Sequence, residues 1–137
     1  IDLCWRLHCR GYQIMAVPQS VVYHVGGATL EYESPRKTFL NFRNNLLMLY
    51  KNLPTMKWLL VMLIRLLLDY VAALQMLFAG KWLNFKAVLQ ARCAFWKLRM
   101  SYKEKRSDCI RSSKTLNPTL ISKRSIIFDY YLLGKRK

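Results

Sequence analysis

The chain has 137 residues, 23 Lys and Arg against 7 Asp and Glu, a net charge of +16 and a hydrophobic fraction of 53%. A charge of that sign selects polyanions or anionic lipid as partners, and so much apolarity excludes a disordered nucleic-acid-binding tail. The two together fit a protein of the membrane surface, and the length allows one domain or the end of a larger one.

Opening at Ile1 in mid-pattern, the chain reads as the C-terminal piece of a longer protein. The stretch "DLCWRLHCR", Asp2 to Arg10, predicts a short helix with Asp2 at its start and Gly11 just past its last turn. Cys4 and His8 are four apart and could share one face of it, but no second pair with metal-ligand spacing accompanies them. The cysteines, Cys4, Cys9, Cys93 and Cys109, form no CxxC pair and read as reduced thiols. Residues 12–17, "YQIMAV", then predict a strand, "PQS" a turn, and "VVYHV" a second strand that Gly26 and Gly27 break. The expected fold class is therefore the edge of an α/β domain, followed by mainly α, membrane-associated amphipathic helices. Trp5 reads as a packing residue, and Tyr23 points to the strand face opposite His24.

Ser34-Pro35 is a helix start, serine as cap and proline in the first turn. The helix is expected to run to Leu53, before Pro54. Phe39, Phe42, Leu46, Leu49 and Tyr50 form its apolar stripe, with Arg36, Lys37, Arg43 and Asn44 off it. Met56 to Gly80 is a second, leucine-rich helix, long enough to span a bilayer. Arg65 and Asp69 interrupt it on one face. About a dozen large apolar residues offer about −5 kcal/mol of insertion energy, and two central charges cost roughly 2.5–3.5 kcal/mol each. Those figures nearly cancel, so spanning and lying in the interface both stay open. Ala72, Ala73, Met76 and Gly80 continue the Arg65–Asp69 face as a strip suited to a partner helix. Lys81 to Arg106 predicts a third helix, with Trp82, Phe85, Leu89, Cys93, Trp96 and Met100 repeating at three and four. Lys81, Lys86, Arg92, Lys97, Arg99 and Lys103 surround that stripe, as in an interfacial anchor. The alternative is a solvated helix packed on its predecessor. Residues 107–125 read as a polar linker and 125–137 as a short basic amphipathic tail. The expected organisation is 1–54, 55–106 and 107–137. There is no glycine-rich phosphate loop and no HExxH.

The opening "IDLCWRLHCRGYQIMAVPQSVVYHVGGAT" resembles the end of the catalytic domain in family 2 glycosyltransferases. The matching residues are Asp2, Leu3, Arg6, Gly11, Tyr12, Pro18, Ser20, Val22, His24 and Gly27. "PRKTFLNFRNNLLMLYKNLP" resembles the next helix of bacterial, rhamnosyltransferase-like members, in which an Arg-Asn pair recurs, here Arg43 and Asn44. The resemblance covers residues 1–54. It implies a GT-A fold and an inverting transfer of sugar from a nucleotide-sugar donor to a glycan or lipid-linked acceptor at the cytoplasmic membrane. It also implies Mg²⁺ or Mn²⁺ on the leaving diphosphate and a carboxylate base. The base, and the nucleotide-binding half with its D-x-D motif, lie outside this sequence, so the chain alone is expected to be inactive.

By the same resemblance Asp2 orients Arg6 or the acceptor; its alternative is a helix cap paired to Arg6. His24 would complete metal coordination, with Gly26 and Gly27 letting backbone pass close to phosphate; its alternative is a hydrogen-bonded histidine at a strand end. Arg43 and Asn44 would contact diphosphate or acceptor, or simply lie on the helix surface. The rival reading of the whole chain is a non-enzymatic basic membrane-binding protein. A nucleic-acid partner is not expected, since no recognised module is present.

Overall fold

The computed structural model describes residues 1–23 and 34–115. His24, Gly26, Gly27 and the expected tail lie outside the described residues, as do the last two residues of the expected second strand. The described chain is helical: α1 (Asp2–Cys9), α2 (Pro35–Asn52), α3 (Thr55–Phe78), α4 (Trp82–Leu98), a 3₁₀ turn (Met100–Tyr102) and α5 (Lys103–Arg111).

The helix boundaries follow from local chemistry. Ser34 stays extended at φ −62°, ψ 143°, and its hydroxyl accepts from the Lys37 N–H, with Pro35 opening α2. α1 ends on Gly11, at φ +87°; the Gly11 N–H donates to the His8 carbonyl and the Tyr12 N–H to that of Leu7. α3 ends the same way on Gly80, at φ +73°: the Gly80 N–H reaches Leu77 and the Lys81 N–H reaches Met76. Leu53-Pro54 separates α2 from α3, because proline disfavours helical backbone in the residue before it and Leu53 is extended.

α2 packs chiefly against α4, α3 against α4, and α5 against α2. Leu46, Leu47 and Tyr50 of α2, Trp58 and Met62 of α3, and Phe95 of α4 close one core. The Tyr50 ring meets Trp58 and Phe95 edge-on, at centroid distances of 5.4 and 6.2 Å. The inward face of α4 is small at its centre, with Ala87, Val88 and Ala91 buried. Small side chains there let α2 come close. At the end of that contact the Asn84 amide donates to the Thr38 hydroxyl at 3.1 Å, both residues being buried.

The α/β expectation is overturned: no strand or sheet occurs among the described residues. The apolar alternation in 12–17 and 21–23 needs a sheet edge to take its N–H and C=O groups, and a lone two-stranded ribbon is marginal in water. Among the described residues no neighbouring strand offers that edge. Met15, Val22 and Tyr23 accordingly stand 82, 80 and 94% exposed. The "PQS" turn does form, the Ser20 N–H bonding to the Val17 carbonyl. The single helix expected over 81–106 is instead two, bent at the 3₁₀ turn. The bend turns Arg106 onto the Tyr50 carbonyl and ring.

Candidate functional site

Asp2 stands at the first turn of α1, next to the C-terminal end of α2. One carboxylate oxygen accepts from the Lys51 ammonium and lies 3.3 Å from Arg6 Nε; the other accepts from the Asn52 amide at 2.7 Å. Asn52 is itself anchored on the Met48 carbonyl at 2.9 Å. Burial alone would raise the Asp2 carboxyl. Hydrogen bonds from Lys51 and Asn52, with the charges of Lys51 and Arg6, outweigh it and hold the group below the ordinary carboxylate range. A carboxylate so held is a poor proton acceptor and a good orienting group.

Asp2, Asn44, Lys51 and Tyr102 line a shallow recess of about 190 Å³ between α1, α2 and the 3₁₀ turn. Arg43 donates twice to the Asn44 amide oxygen, at 3.1 and 2.9 Å, and stacks on Phe39. Asp2 and Asn44 are thus brought to one recess from separate helices, Arg6 being bonded to the first and Arg43 to the second. Lys51, Asn52 and Tyr102 are the members that sequence reasoning missed. Lys51 carried a signal, since it lies seven residues beyond Asn44 and shares its helix face; Tyr102 carried none. The recess suits an anionic or hydroxyl-rich group, with a fixed carboxylate among cations and amides.

The recess does not by itself fit a divalent cation. Among the described residues that line it, Asp2 is the carboxylate, and Lys51, Asn52 and Arg6 already occupy its oxygens. Nor do three or more His, Cys, Asp or Glu gather elsewhere among the described residues. The expected ligand His24 lies outside them.

Asp69 is buried between α3 and α4. It pairs with Arg65 at 2.7 Å and Arg92 at 2.8 Å, and is 1% exposed. The charged face of α3 is thereby turned inward. Its outer face is apolar: Met56, Leu60, Leu63, Leu67, Val71 and Phe78 are exposed. α3 is long and apolar enough to cross a membrane. Trp82, Trp96 and Met100 of the expected α4 stripe also point outward. Cations lie on these rings, Lys86 over Trp82 at 5.3 Å and Arg99 over Trp96 at 4.7 Å.

Comparison of the chain with protein-family models, curated proteins and solved structures finds no match.

Proposed function

We propose that the chain is part of an inverting, metal-dependent glycosyltransferase that moves a sugar from a nucleotide-sugar to a glycan or lipid-linked acceptor, and that α3 and α4 moor it on the cytoplasmic face of the cell membrane. The observation that carries this reading is that Asp2 and Asn44, from separate helices, line one recess, with Arg6 paired to Asp2 and Arg43 to Asn44. These are the residues that the resemblance of 1–54 marks for acceptor and diphosphate. Asp2 acts as the orienting carboxylate, with Lys51 and Arg6 adding positive charge for phosphate or sugar hydroxyls. Mg²⁺ or Mn²⁺ would neutralise the leaving diphosphate, and His24 is the residue of this chain marked to hold it. Mooring is supported by the exposed apolar face of α3 and the Trp–Arg and Trp–Lys stacks of α4. With its charges turned inward onto α4, α3 lies in the membrane plane rather than across it.

The test uses the full product of the reading frame that encodes this sequence, in membranes, with a panel of labelled nucleotide-sugars. The expected result is transfer of label to a membrane-fraction acceptor, abolished by chelation and reduced roughly tenfold or more by Asp2→Asn, the loss of an orienting contact. A folded product that transfers no sugar from any donor overturns the enzymatic reading. The second reading, a non-enzymatic basic membrane-binding protein, is favoured by one observation, the mainly helical, strand-free character of the described residues. It predicts vesicle binding without transfer.

A further inference from the structure

An apolar groove of about 670 Å³ runs between α3 and α4, within the range of about 300–1,000 Å³ common to ligand pockets. Leu63, Leu66, Leu89, Cys93 and Trp96 are among its walls. The guanidinium it contains, that of Arg92, is already committed to Asp69 and stacked on Tyr70. A hydrocarbon is what such walls accept. Beside it lies a second recess of about 330 Å³ with the opposite character, lined by Arg99, Lys103 and Arg106 and by no carboxylate. Trp58 lines both. Arg99 bridges them, its guanidinium 4.7 Å from the Trp96 ring centroid and 5.9 Å from that of Trp58. The Trp58 indole N–H is buried and has no acceptor among the described residues. Arg106 donates to the Tyr50 carbonyl and the Thr55 hydroxyl, which leaves guanidinium donors over.

We infer that groove and recess are one binding site for a long-chain lipid phosphate, with hydrocarbon along α3–α4 and phosphate on Arg99 and Lys103. The inference rests on the membrane reading above and names the ligand class of that surface. Charge complementarity selects this occupant. A cationic recess without a carboxylate calls for an anion, and the adjoining groove calls for that anion to carry a chain. A second copy of a +16 chain would bring like charge against like.

Cys93, exposed in the groove, reports occupancy by its alkylation rate; Cys4, exposed on α1, is the control. The probes are monomeric dodecyl phosphate, dodecanol and inorganic phosphate. Dodecyl phosphate is expected to protect Cys93 at roughly tenfold lower concentration than dodecanol, through two to three cations. Cys4 stays unprotected, and inorganic phosphate protects nothing. Arg99→Gln with Lys103→Gln erases the difference between the two chains, and Leu63→Glu, at an exposed position, removes protection by both. The wild-type arms decide the matter even if a variant fails to fold. Equal protection by the alcohol, protection by inorganic phosphate, or no protection overturns the site. Protection that grows with protein concentration in the absence of lipid assigns the groove to a second copy and overturns it equally. Vesicle binding with Cys93 still reactive overturns the site and leaves the membrane reading standing; absence of vesicle binding overturns both.

Discussion

Asp2 shows how one carboxylate is fixed by partners remote in sequence. Arg6 is on its own helix, while Lys51 and Asn52 come from the end of α2. Because the folded carboxyl titrates below its unfolded value, its stabilising contribution is present above the unfolded value, about 3.9, and is lost as pH falls through the folded one. Asp2→Asn removes that contribution, of about 0.5–1 kcal/mol after solvent screening. Denaturant midpoints of wild type and variant are therefore expected to differ from neutral pH down to about pH 5 and to converge as pH falls below the unfolded value toward the lower folded one. A constant gap would show that the hydrogen bonds, not the charge, carry the effect. Cys9 makes a second contrast at this scale. Burial pushes its thiol up. It is expected to resist alkylation in the native protein while exposed Cys4 and Cys93 react, as peptide mass spectrometry would measure.

Between elements, the Arg65–Asp69–Arg92 triad ties α3 to α4. Two arginines on one sealed carboxylate leave a net positive charge, so loss of the carboxylate strands both. Asp69→Asn is expected to cost about 3–5 kcal/mol, the penalty for breaking a buried pair. Replacing the triad together, Arg65→Met, Asp69→Leu and Arg92→Met, is expected to recover most or all of it. Chemical denaturation of wild type and the two variants checks both; an Asp69→Asn cost under about 1 kcal/mol would mean water reaches the site. The helix ends are simpler. Serine before proline begins α2, and glycine at positive φ closes α1 and α3. These are contacts within one turn, and they were legible before any tertiary contact was known. The inner face of α4 was not. Periodicity pointed to Trp82, Phe85, Leu89, Cys93, Trp96 and Met100, yet Asn84, Ala87, Val88, Ala91, Arg92 and Phe95 are the buried residues. Bulk alone misleads here, because close helix approach favours small residues and leaves large ones for the rim.

Across the whole molecule, a +16 chain carries a helix with an apolar outer face and cations stacked on its aromatic neighbours. Attraction to anionic lipid is worth about 1 kcal/mol per Lys or Arg near the surface and falls off within a Debye length of about 8–10 Å. Binding to vesicles containing phosphatidylglycerol is therefore expected to exceed binding to neutral vesicles by tenfold or more at low salt. The excess should collapse toward about 1 M salt, where the Debye length is about 3 Å, leaving the apolar share. Flotation measures both; equal affinity for the two vesicle types would remove charge from the mooring.

The amino-acid sequence alone determined the four main helices, the serine–proline start of α2, the glycine end of α1, the cationic balance and the placing of Arg65 and Asp69 on one face of α3. Each of these rests on neighbours within a turn or two, or on composition. Tertiary structure decided what depends on partners far along the chain: that 12–23 finds no sheet, that Arg92 joins the buried carboxylate, that α4 turns its small face inward, and that Lys51 and Tyr102 complete the recess. A strand needs an edge, a buried charge needs a second cation and a recess needs a far wall, and local sequence fixes none of these. Packing among separate helices does.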